Sequence, residues 1–178
     1  MDYSKPDSAC LLITENHQKM IDILESRKIK LNAALSFWKN EDIQQLVTFL
    51  LRTNDDSLFV DVIPHLASSI RENNAIGKKV TLGICVELLP VLQRLLKTKF
   101  EDYVVASLDF MRIMSQNWYM ELRELKQKGE GDKNHSMSLP QIYLELINMQ
   151  VIIKKLCRRT GKIGDKAKVL FDILEQLT

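Results

Sequence analysis

His17, His65 and His135, with the thiols of Cys10, Cys85 and Cys157, are the side chains of this sequence best suited to metal binding or nucleophilic catalysis. Each stands alone. A zinc site needs ligands at close spacing, such as two histidines three or four residues apart or a Cys-x-x-Cys pair, and neither pattern occurs. Gly77-Lys78-Lys79 and Gly161-Lys162-Ile163-Gly164 bring glycine and lysine together, as phosphate-binding loops do. Neither has the Gly-x-x-x-x-Gly-Lys-Ser/Thr spacing that surrounds a phosphate with backbone N–H groups, so both read as helix C-caps. A Gly-x-Ser-x-Gly elbow is absent, and no pair of carboxylates stands out by its spacing. The sequence offers no catalytic set, no cofactor site and no metal site, which points away from an enzyme.

What remains is the chemistry of binding. Beyond Phe100 two apolar rows share one helical stretch: Val104, Leu108, Met111, Trp118, Leu122 and Leu125 form the first, and Tyr103, Ala106, Phe110, Ile113 and Met120 the second. The rows are rotated by about 100° from one another, so the helix is apolar over a broad arc and is buried on more than one side. It is either the central helix of the domain or a helix that leaves part of its arc to a partner helix. Aromatic and methionine side chains give large, adaptable contact area. On the second alternative the candidate partner-binding residues are Tyr103, Phe110, Ile113, Trp118, Tyr119 and Met120.

A second binding feature is basic. Seven Lys or Arg residues against three Asp or Glu lie between Val151 and Thr178, although the whole chain has a formal charge of only +2. Lys154, Lys155, Arg158 and Arg159 share one side of a helix end, where they either complement the helix dipole or meet an anionic partner. No aromatic residue interleaves with these bases, which argues against single-stranded nucleic acid.

The elements that carry these residues are expected to be helical. Leu, Ile and Val supply 52 of 178 residues, while glycine and proline together number ten, too few to punctuate an all-β chain. The longest aliphatic runs are about five residues, far below the roughly 18 of a membrane span. Three widely spaced cysteines predict free thiols in a reducing, intracellular compartment. Residues 1–13 read as a flexible tail and 14–178 as one domain of about seven helices, stacked as an armadillo- or HEAT-like array or as an irregular bundle.

Met20, Leu24, Leu31, Leu35 and Trp38 mark one face of the first helix. Asn40 is the expected cap of the second helix and Thr81 of the fourth. Pro64 and Pro90 sit inside two resembling segments, Val60–Leu66 and Val86–Leu92, and each is expected to kink or break its helix. The fifth helix is expected from Phe100 to about Lys128, with Lys126–Ser138 as a mobile loop. Ser138 and Asp165 are expected to open the last two helices.

Leu35-Ser-Phe-Trp-Lys-Asn-Glu-Asp-Ile43 resembles the conserved C-terminal domain of the katanin regulatory subunit, in which a Phe-Trp pair ends one helix and Asn-Asp-Ile begins the next. The similarity continues through Leu88–Leu96, Val105–Asp109 and Ile153-Lys-Lys-Leu-Cys-Arg-Arg-Thr-Gly161, and closes with Ile173–Leu177. Nothing here is like the WD-repeat propeller of the regulatory subunit. The chain is therefore expected to be an excised domain or to correspond to part of the regulatory-subunit-B-like members of the family. The resemblance implies a non-catalytic, all-helical adaptor that binds the N-terminal helical domain of katanin's catalytic AAA ATPase subunit. Such an adaptor would tune microtubule severing and its location in the cytoplasm and cytoskeleton, at spindle poles or in the nucleus. Direct binding of the acidic tubulin surface through Lys154, Lys155, Arg158 and Arg159 is the alternative.

Overall fold

The computed structural model describes the backbone of residues 8–128 and 138–177 and the side chains of residues 10–124 and 144–177. The fold is all-α, as expected, and the described residues form eight α-helices in place of about seven: α1 (Ser8–Lys39), α2 (Ile43–Thr53), α3 (Asp56–Glu72), α4 (Leu82–Leu95), α5 (Glu101–Asn117), α6 (Tyr119–Lys128), α7 (Ser138–Leu156) and α8 (Lys162–Leu177). A 3-10 turn at Gly77–Lys79 joins α3 to α4. The helices form two rows. α1 packs on α3, α3 on α5 and α5 on α8, while α2 packs on α4 and α4 on α7. Contacts of α1 with α2, α4 with α5 and α7 with α8 tie the rows together.

The additional helix comes from a break at Trp118. The expected helix from Phe100 to Lys128 is divided there, because Trp118 leaves helical geometry at φ −111°, ψ 25° and its N–H bonds back to Met114. No glycine or proline announces the break. The prolines, by contrast, break nothing: α3 runs through Pro64 and α4 through Pro90. α1 begins at Ser8, six residues before the expected start near Thr14. The first seven residues, and residues 129–137 of the expected mobile loop, lie outside the described residues.

Caps set the other boundaries. Asp42, and not Asn40, caps α2 by accepting from the Gln45 N–H at 3.2 Å, since Glu41 takes a left-handed conformation that displaces the cap by two residues. Thr81 caps α4 as expected, accepting from Ile84 N–H at 3.3 Å. Ser138 opens α7, while α8 starts at Lys162 with Asp165 in its first turn. Gly164 lies against the backbone of Arg159 so closely that a Cβ there would sit 1.8 Å from the Arg159 carbonyl oxygen. The Gly161–Gly164 segment is thus a tight helix-to-helix turn, closed by Gly161 at φ +78°.

α5 is the central helix. α3 and α4 cover it on one side and α8 on the other, and Val104, Leu108, Met111 and Phe110 are all essentially inaccessible. Ser107 Oγ donates to the Leu92 carbonyl at 2.8 Å, so its buried hydroxyl is satisfied. Lys166 reaches from α8 to Asp109 at 2.7 Å.

The first turn of α3 anchors α1. Asp55 Oδ1 accepts from the N–H groups of Ser57 and Leu58 at 3.1 and 3.2 Å, a cap on the α3 donors, and its other oxygen accepts from Lys30 Nζ at 2.8 Å. Ser57 Oγ donates to Asp55 at 2.7 Å and accepts from Arg27 at the same distance, and Arg27 also pairs with Asp61. The Lys30 ammonium, then the Ser57 hydroxyl, hold the Asp55 carboxyl well below its usual range.

A carboxyl whose pKa is depressed by folding contributes stability that is complete above its unfolded value, about 3.9, and is lost as pH falls through the folded value. Asp55→Asn keeps a capping side chain but removes the charge, and is expected to cost about 1 kcal/mol at neutral pH. Urea unfolding at several pH values checks this. The gap between the two proteins should be constant above about pH 5 and narrow progressively below about pH 4; a gap unchanged down to pH 2 would contradict the assignment.

Candidate functional site

An α-helix of 32 residues is about 48 Å long. α2 and α3, the helices that α1 packs on, have 11 and 17 residues and cannot cover it from end to end. Ile13, Met20, Leu24, Arg27, Leu31, Ala34 and Trp38 recur at spacings of seven, four, three, four, three and four, a single seam along α1. The body covers only the C-terminal part of this seam. Ala34 is buried, Leu31 and Trp38 are half-buried, and Leu24, Met20 and Ile13 are 57, 60 and 68% exposed. Leu12 and Ile23 flank the bare part and are exposed as well. Among the described residues, eight of the thirteen exposed large apolar side chains lie on α1. Scattered apolar residues on a surface are ordinary, but a contiguous row of this kind marks an interaction surface.

Where the seam meets the body a groove opens. It has a volume of about 520 Å³ and is lined by Leu31, Ala34, Leu35 and Trp38 of α1 and Asp61, Val62 and His65 of α3. Trp38 stands edge-on to His65, with ring centroids 6.2 Å apart. The groove is apolar apart from its rim, large enough for one or two aliphatic or aromatic side chains, and continuous with the bare seam.

The partner-binding residues expected from the sequence are dispersed. Phe110 is fully buried and Ile113 is 6% exposed, so both are core residues of this chain and offer a partner nothing to touch. Tyr103 is half-buried and stacks on Phe100 at 5.2 Å. Trp118 and Tyr119 are half-buried at the junction of α5 and α6, where Tyr119 Oη donates to Gln176 at 3.4 Å. Met120 alone of the six is well exposed. The broad apolar arc belongs to a central helix, the first of the two alternatives. Lys154, Lys155, Arg158 and Arg159, by contrast, do come together, all exposed at the end of α7 and in the turn after it.

The thiols and imidazoles are dispersed over the fold. Burial pushes the Cys85 thiol up to about 12, which leaves essentially no thiolate at neutral pH, and desolvation raises Cys157 too. His17 is an exposed α1 residue, His65 lines the groove, and His135 lies outside the described residues. Among the described residues no group of three or more His, Cys, Asp or Glu is placed to hold a metal, and no helix is long and apolar enough to cross a membrane. The three cysteines are free.

Residues 15–174 match the con80 domain of katanin. The chain is similar to KATNB1-like protein 1 of Mus musculus, at 36% identity over 110 residues, which is 62% of this chain and 36% of that protein. It is also similar to the katanin p80 WD40 repeat-containing subunit B1 of Gallus gallus, at 26% identity over 89% of this chain and 24% of the relative. The subunit B1 homolog KTN80.2 of Arabidopsis thaliana is 28% identical over 92% of this chain and 14% of its own length. The chain thus spans about a third or less of the length of these relatives.

The contrast between the seam and the central helix is measurable without any partner. Phe110→Ala should lower unfolding stability by about 3–5 kcal/mol, whereas Leu24→Glu should change it by no more than about 0.5 kcal/mol. Comparable losses in chemical denaturation would mean that the N-terminal half of α1 is packed in this chain.

Proposed function

The chain belongs to the con80 domain family of katanin, and on that premise we propose that it is a regulatory adaptor that binds the N-terminal helical domain of katanin's catalytic AAA ATPase subunit. Through that complex it modulates microtubule severing and brings it to cytoskeletal sites such as spindle poles. The observation that carries the reading is the bare seam of α1. α1 ends one row of the helical array, and the face it presents to α3 continues uncovered for about four turns beyond the body. Helices of a partner laid on that face would extend the array and bury Ile13, Met20, Ile23 and Leu24, with one apolar side chain seated in the groove beside Trp38. An interface of ordinary size takes about 800 Å² from each partner, and a seam about 30 Å long with its groove is of that order.

A smaller contribution from Tyr103, Trp118, Tyr119 and Met120 at the other face of the array is the competing placement of the same interface. Of these four residues Met120 alone is well exposed, which favours α1. A second reading, direct attraction of Lys154, Lys155, Arg158 and Arg159 to the acidic tubulin surface, is supported by the absence of ion pairs to these four among the described residues. Such attraction fades as salt screens it.

Titration calorimetry with the N-terminal domain of the catalytic subunit tests the placement. Burial of one Leu or Met is worth about 1.5–3 kcal/mol, so Met20→Glu with Leu24→Glu should weaken binding by about 100-fold or more. Met120→Glu should leave it nearly unchanged. The reverse pattern would move the interface to α5 and α6, and no complex with the unmodified chain at micromolar concentration would overturn the adaptor reading.

A further inference from the structure

α7 has a second, outward ridge that the adaptor reading leaves unused. Leu146, Met149, Ile153 and Leu156 form its inner face and are buried against α4, α6 and α8. On the opposite side Leu144, Asn148, Val151 and Lys155 recur at spacings of four, three and four, with Ile147 and Lys154 on one flank and Arg158 in the turn that follows. Leu144 is 59% and Val151 64% exposed, values no higher than the bare seam of α1 shows and far from those of the core. The ridge is graded along its length. Its first two turns carry Leu144 and Val151 on either side of Asn148, and its last turn and the following loop are basic, with Lys154, Lys155, Arg158 and Arg159 all exposed.

The charge at this end meets no acidic partner among the described residues. Among the described residues the ion pairs fall on α1 with α3, on α4 with α3, on Lys79 with Glu41, and on Asp109 with Arg112 and Lys166; none involves the four bases of the ridge. Lys154 holds its ammonium 5.8 Å from the centre of the Phe171 ring of α8, a contact that leaves its charge in place. Arg158 and Arg159 lie in the turn just past the last helical residue, Leu156.

We propose that this ridge is a docking site for an amphipathic, acidic protein helix, whose aliphatic residues lie against Leu144, Ile147 and Val151 while its carboxylates meet Lys155, Arg158 and Arg159. Charge complementarity selects the occupant. A purely acidic tail would leave the aliphatic half of the ridge bare, and a purely apolar helix would leave four cations unpaired, whereas a helix graded in the opposite sense satisfies both over the same length of about 20 Å. The site is separate from the α1 seam, since α1 packs on α2 and α3 while α7 packs on α4, α6 and α8.

Fluorescence anisotropy on the full chain tests this with a labelled helical peptide that carries leucines seven residues apart in its first half and glutamates at the same helical face in its second. The peptide should bind, and Leu144→Ser with Val151→Ser, or Lys155→Glu with Arg158→Glu, should each weaken binding by about tenfold or more. All four positions are exposed, so circular dichroism should show the fold intact. The paired variants should leave affinity for the catalytic subunit's N-terminal domain unchanged, which separates this site from the α1 interface. Equal binding of an oligoglutamate of the same charge, equal binding of a scrambled peptide, or insensitivity to Leu144→Ser with Val151→Ser would overturn the proposal.

Discussion

The placement of α1 depends on one polar clamp. Arg27 and Lys30 reach to the N-cap and first two turns of α3, where Asp55, Ser57 and Asp61 receive them. The donors of a helix N-terminus draw acidic side chains to that turn, and those acids then fix two bases of a neighbouring helix. Each pair is partly exposed and worth roughly 0–1 kcal/mol, so the clamp decides register more than it adds stability. Its consequence is geometric. C-terminal to Arg27 the seam of α1 lies on the body, and N-terminal to it the same seam stands free.

From that constraint the two surfaces of the molecule follow. The rows of helices leave α1 at one end of the array with an apolar face longer than its neighbours can cover. At α7 the core takes one face and leaves an outer ridge on which apolar and basic residues are sorted by position.

The sequence was informative about faces and silent about what covers them. Met20, Leu24, Leu31, Leu35 and Trp38 read correctly as one face of a helix, but periodicity is the same whether the face meets the chain's own core or another protein. The double stripe of the fifth helix posed the same question, and there α3, α4 and α8 cover it from two sides, which removes Phe110 and Ile113 from any partner surface. The length of α1 was the available signal, because 32 residues beside helices of 11 and 17 cannot be covered along their whole length. Trp118 shows another limit. Ser115-Gln116-Asn117 lowers helix propensity only modestly and holds no glycine or proline, so the break between α5 and α6 carries no clear mark in the sequence. Caps were legible where one strong candidate existed, as at Thr81. They were displaced where several stood together, as at Asn40, Glu41 and Asp42.

The central claim is that the N-terminal half of α1 is a helix waiting to be covered. Amide hydrogen exchange of the chain, alone and saturated with the N-terminal helical domain of the catalytic subunit, addresses it residue by residue. In the free chain, amides of residues 14–26 should exchange faster than those of 34–38, and in the complex they should slow by about tenfold or more. Equal protection of both halves in the free chain, or no added protection at 14–26 in the complex, would contradict the account.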